Sequence, residues 1–213
     1  DMLRLDGDYP AAEEQYKQYL KFNPTDVNGE LGLRSCEYSV KWLAKPTRYQ
    51  VEIMPVLNSR SSDYSVAFGK GDYSELFFTS SRSGGLSDKI DARTGENFSD
   101  IYFSNLNKTG KWSVPELLLE PVNTEGNEGS VFINKSGTMM FFTQCKVEKK
   151  KSEGCGIYVA KRKGKIWGEP MLLQVKLDSN VTFGHPAVSD DESIVIFSSD
   201  MSGGYGGKDL WMV

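Results

Sequence analysis

From Ser62 to the end, short apolar runs alternate with polar turns at a spacing that favours strands. The clearest stretch is Thr182 to Val213. There AVS and SIVIFSS are joined by the turn Asp190-Asp191-Glu192, and a glycine-rich loop leads into DLWMV. The same order of elements occurs twice upstream. Phe142 and Phe197, Trp112 and Trp167, and Pro115 and Pro170 share one spacing of about 55 residues. Ile101, Ile157 and Leu210 recur at nearly that period. The first interval, Phe78 to Phe142, is longer because LSDKIDARTGENF enlarges one hairpin loop.

Residues 1–45 carry a helical pattern instead. Ala12, Tyr16, Tyr19 and Leu20 fall on one helical face, with Pro10 in the first turn and Asn23-Pro24 as the stop. Asp26 is placed to cap a second helix, with Leu31, Leu33, Cys36 and Val40 as packing candidates. Too few helices are present to bury a core as a helical repeat array, so this segment is expected to end a longer array or to lean on the strand-rich part.

YQVEIMPVLNS, after the hinge at Lys45, matches PELLLEPVNTE and EPMLLQVKLDS. A fourth strand of the repeat therefore precedes its first strand, which is how β-propellers close their rings. The expected fold class is α+β, a helical hairpin (1–45) followed by a mostly antiparallel partial β-propeller (46–213). Within it, 49–57 is expected as the outer closing strand, 62–120 and 127–175 as blades, and 182–213 as an incomplete blade. The chain is expected to be a fragment, since Asp1 is not a natural start.

With 38% apolar and 25% charged residues the composition is globular, and a net charge of −4 argues against nucleic acid as a partner. No apolar run is long enough to span a membrane. Of three cysteines, Cys145 ends one strand and Cys155 opens the next, so a hairpin places them face to face. Either they form a disulfide, implying an oxidising compartment, or they are two reduced thiols at a loop base. Cys36 reads as a small buried residue.

Gly7-Asp8-Tyr9, Ala12 and Pro24 resemble the second helix of a tetratricopeptide (TPR) repeat, with Tyr19 replacing the small residue usual at its place. Pro186, Ser189, Asp191, Phe197, Ser198, Gly203, Gly204, Asp209, Leu210 and Trp211 resemble the PD40 (WD40-like) propeller repeat of TolB, with Asp190 and Glu192 departing from its turn. Ser81-Arg82-Ser83-Gly84-Gly85, Asp100-Ile101-Tyr102 and Asn134-Lys135-Ser136-Gly137 match it in part. The combination resembles the periplasmic OmpA-family lipoproteins of Bacteroidetes, among them the PorE-type component of the type IX secretion system. That resemblance implies a periplasmic scaffold, held at the outer membrane by a lipid anchor outside this chain. Its partners would be envelope or secretion-system proteins, and peptidoglycan through a domain not present here.

His185 invites a catalytic reading, but its place at the entry of a first strand favours packing or channel lining. Asp100 and Asp209 stand where a carboxylate would accept backbone hydrogen bonds and fix the loop. Asp190, Asp191 and Glu192 lack calcium-loop spacing and read as a solvated turn. Lys146, Lys149, Lys150 and Lys151 read as a solvated hairpin tip, and Trp112, Trp167 and Trp211 as packing between blades. Gly203 to Gly207 lack the context of a phosphate loop. No catalytic residue, cofactor or metal site is expected, and a docking scaffold is favoured. The alternatives are a TolB-like peptide-binding module, or the propeller of a glycosidase or prolyl-oligopeptidase-type hydrolase.

Overall fold

The computed structural model of the chain describes residues 1–148, 151–175 and 181–213. Among the described residues there are three helices and mostly antiparallel sheets, in two compact units, Asp1–Glu52 and Ile53–Val213.

In the first unit α1 (Met2–Leu5), α2 (Tyr9–Phe22) and α3 (Val27–Ala44) follow one another. Asp8 caps α2 by accepting from the Ala11 amide, and Asp26 caps α3 by accepting from the Gly29 amide at 2.6 Å. The bulky Tyr16 and Tyr19 of α2 are accommodated by α3. A side chain at Gly32 would collide with the Tyr16 ring, and one at Gly29 would lie 2.9 Å from Leu20. The small residues of this crossing thus sit on the opposite helix from the one the sequence pattern suggests. Ala12 and Cys36 are fully buried, and burial pushes the Cys36 thiol pKa up. Leu31 and Val40, expected to pack, are exposed, because α3 turns toward α2 the face that carries Gly29, Gly32 and Cys36.

The described residues of the second unit form three antiparallel sheets. The first runs β1 (Asp63–Phe68), β2 (Glu75–Ser80), β3 (Asp100–Asn105), β4 (Glu116–Leu117) in spatial order. The second contains β5 (Asn127–Ile133), β6 (Met139–Glu148), β7 (Lys151–Lys163), β8 (Ile166–Trp167) and β9 (Met171–Leu172), the last also pairing with β7. The third is β10 (Phe183–Val188), β11 (Val195–Ser199), β12 (Asp209–Met212). Their registers repeat: Phe78 opposes Tyr102, Phe142 opposes Tyr158, and Phe197 opposes Trp211. Each first strand also breaks register at one place, where Ser65, Ser130 and His185 adopt φ of 52°, 51° and 56°.

Phe77 and Ile101 of the first sheet pack against Val131, Ile133, Met140, Phe142, Ala160 and Trp167 of the second. A smaller cluster joins Ile157 to Phe183 and Phe197 of the third.

Tyr49 to Leu57, expected as a closing strand, forms no strand. Tyr49, Val51 and Ile53 are exposed, and the segment ends in a turn where the Leu57 and Asn58 amides donate to the Met54 carbonyl. A strand is stable only through a neighbour's ladder, and among the described residues none lies beside this one. The turn survives alone because it is local. Met54 N donates to Asn58 Oδ1, whereas in the equivalent stretch Asn123 is the donor, through Nδ2 to the Leu118 carbonyl.

Candidate functional site

Neighbouring sheets meet through their first strands, and a repeated contact locks them. Left-handed backbone at the bulge aims one amide at the preceding sheet: Ser130 N donates to Thr79 Oγ1 at 3.0 Å, and His185 N donates to Thr143 Oγ1 at 2.9 Å. Both threonines follow the paired phenylalanines of their second strand. Gly129 and Gly184, just before the bulges, leave room for them: a Cβ on Gly129 would stand 2.6 Å from Thr79 Cγ2.

His185 therefore belongs to this row of bulges. Its Nδ1 lies 2.8 Å from Ser130 Oγ, an arrangement that invites comparison with a nucleophile and its base. The strained φ, however, recurs at Ser65, so it belongs to the repeat rather than to a nucleophile turn. Among the described residues no carboxylate hydrogen-bonds the imidazole to orient it.

Asp100 and Asp209 accept from loop amides: Leu86 N reaches Asp100 Oδ2 at 3.3 Å, and Tyr205 N reaches Asp209 Oδ2 at 2.9 Å. Gly206 N also bonds Asp209, which occupies amides of the Gly203 to Gly207 loop. Asp100 is almost fully buried, and among the described residues its Oδ1 and the nearby Tyr102 hydroxyl have no hydrogen-bond partner. Burial, then the Glu128 charge, raises the Asp100 pKa to about 7.

The turn Asp190-Asp191-Glu192, expected to be merely solvated, clasps the second sheet. Asp190 pairs with Lys135 at 2.5 Å, and Glu192 accepts from Asn134 Nδ2 at 2.7 Å. Asp191 instead ties its own turn, and hydrogen bonds from Ser189 and Ser193 hold its carboxyl down to about 2. Among the described residues no group of three or more His, Cys, Asp or Glu could hold a metal ion.

Trp167 meets Phe77 edge-on at 5.8 Å across two sheets, Trp211 packs with the third-sheet cluster, and Trp112 is half-buried, bridged to Leu106. Cys145 and Cys155 are register partners joined as a disulfide. The lysine-rich tip (Lys146, Lys149, Lys150 and Lys151) lies outside the described residues, apart from strand backbone at Lys146 and Lys151.

Two ionic clusters escaped sequence reasoning because their members are far apart in the chain. Arg162 pairs with Glu75 at 2.8 Å, an ion pair rather than an aligned hydrogen bond, and donates to the carbonyls of Gly69 and Gly137. Its guanidinium lies 4.8 Å from the Trp167 ring centre. Arg82 bonds Asp63 Oδ1, Leu57 O and Ser80 Oγ while lying over Phe78 and Tyr102.

Two concavities accompany these features. In the helical unit a groove of about 960 Å³ is bordered by Leu3, Gln15, Tyr16, Tyr19 and Leu31. In the sheet unit a polar cavity of about 450 Å³ lies between the starts of β1 and β5 and the enlarged 82–99 loop. Compared with known proteins, the chain matches no family model and no curated protein.

Proposed function

We propose that the chain is a non-catalytic docking module: a TPR-like helical hairpin joined to a sector of a β-propeller, working in the periplasm as part of an envelope scaffold. The observation that carries the docking role is the helical groove, a concave surface with an exposed apolar border at Leu3 and Leu31. The propeller reading is supported by the three sheets of common register, meeting through their first strands, with the Thr79 and Thr143 contacts repeated. The disulfide fits an oxidising compartment. By its resemblance, the scaffold ties type IX secretion machinery to the outer membrane and cell wall, and the wall contact lies in a domain outside this chain.

The test is site-specific photocrosslinking of the intact protein in its own cells. A crosslinker at Gln15 or Leu31 is expected to capture a defined envelope protein, and one at Lys108, on an exposed turn, to capture none. Absence of any adduct from the groove, with hydrolytic activity in the purified protein, overturns the reading.

A further inference from the structure

The 82–99 loop is the largest departure from the repeat, and in repeat folds such insertions build the binding face. Here it carries its own small hairpin. Ile90 bridges Asn97, the Asp91 amide donates to Glu96 O, and the Phe98 amide donates to Lys89 O. This hairpin walls the 450 Å³ cavity, whose lining includes Asp63, Tyr64, Asp91, Glu96, Asn97 and Asn127 and neither lysine nor arginine.

The three carboxylates are not equivalent. Asp63 is committed to Arg82, Ser80 and Ser59, and Asp91 is gripped by Arg93 through both oxygens. Glu96 is anchored through one oxygen only. Its Oε2 accepts from Ser81 Oγ at 2.5 Å and from Ser62 N at 3.4 Å, while among the described residues Oε1 has no partner. The Ser81 hydroxyl holds the Glu96 carboxyl below the usual carboxylate range, so it stays ionised. Tyr64, nearly half exposed, adds an aromatic wall.

A fixed carboxylate oxygen, an aromatic wall and amide side chains inside a small cavity complement an ammonium or guanidinium on an aliphatic stem. We propose that this cavity receives one cationic side chain, lysine or arginine, presented by an extended segment of a partner polypeptide. The charged head pairs with Glu96 Oε1, and the stem runs along Tyr64. This inference rests on the docking reading and names the chemistry of one of its contacts.

The experiment titrates the intact protein with acetyl-Gly-Lys-Gly-amide and acetyl-Gly-Gln-Gly-amide, reading amide NMR shifts at Tyr64, Glu96 and Asn97. The lysine peptide is expected to saturate these shifts and to bind at least about 10-fold more tightly than the glutamine peptide, an advantage that shrinks as salt rises. Glu96→Gln is expected to abolish that preference. Tyr64→Leu, which leaves every loop hydrogen bond in place, is expected to weaken the lysine peptide about 3- to 10-fold by removing the ring. Glu169→Gln, at an exposed carboxylate outside the cavity lining, is expected to change nothing. Equal binding of both peptides, no shift at millimolar peptide, or a preference that survives both Glu96→Gln and Tyr64→Leu overturns the proposal. Crosslinks from the helical groove are read separately, so failure here leaves the docking reading to its own test.

Discussion

Gly129 is fixed by the Thr79 methyl, and the distances show how little room remains. A Cβ at 2.6 Å from Thr79 Cγ2 forces a shift in a close-packed sheet junction, so Gly129→Ala is expected to cost about 1–3 kcal/mol. Thr79→Ser removes that methyl but keeps the oxygen that accepts from Ser130, and the double variant should recover most of the loss. Urea denaturation of the four proteins tests this, and additive losses would contradict it. Asp100 makes a prediction of a different kind. Its folded pKa lies near 7 against an ordinary value near 4, so between those values the native state holds a proton that the unfolded chain releases. Its contribution to stability is complete below pH 4, declines as pH rises to 7, and is gone above. The slope approaches about 1.4 kcal/mol per pH unit. Asp100→Asn keeps an oxygen for the Leu86 amide and should flatten urea midpoints between pH 5 and 7 relative to wild type; parallel profiles would refute the assignment.

At the scale of elements, the β6–β7 hairpin is the one with a covalent tie. Cys145 and Cys155 are 10 residues apart in sequence, so the bond closes a short loop in the unfolded chain, and its loss is expected to cost about 2–3 kcal/mol. The Cys145→Ser/Cys155→Ser variant, compared with wild type under non-reducing conditions, should show that shift in urea, and an unchanged midpoint would contradict it. The hairpin's pairing was legible because both cysteines bound strands of strong pattern, and the α2 and α3 ends were legible because Asp8, Pro10, Pro24 and Asp26 act locally. Tyr49 to Leu57 was misread because a strand's hydrogen bonds belong to its neighbour, and an apolar run cannot say whether one is there. The other fourth strands, Glu116–Leu117 and Met171–Leu172, are themselves only two residues long, so this position of the repeat is weakly paired throughout. Some signals were present but unread. A hydroxyl follows each phenylalanine at Thr79, Thr143 and Ser198, and a glycine precedes the bulge at Gly129 and Gly184.

Across the whole sheet unit the question is what holds one sheet to the next, since each meander satisfies its own ladder. The third sheet is clasped to the second by the exposed ion pair of Lys135 with Asp190, a type that contributes about 0–1 kcal/mol, and by the buried Asn134 donating to Glu192. The first and second sheets share Arg162, which is buried. It reaches the first sheet at Glu75 and the Gly69 carbonyl, holds the second at Gly137, and covers the Trp167 ring. Removing it strands the Glu75 carboxylate at 11% side-chain exposure and leaves two carbonyls without this donor, so Arg162→Ala is expected to cost about 3–5 kcal/mol. Much of that is the penalty of an unpaired buried charge rather than the worth of the pair. Replacing both partners, Glu75→Leu with Arg162→Met, removes the charge and leaves mainly the two carbonyl bonds lost, for a cost of about 1–3 kcal/mol. Chemical denaturation of wild type, single and double variants separates these cases. A double variant less stable than Arg162→Ala would show that the ion pair itself, and not relief of a stranded charge, joins the two sheets.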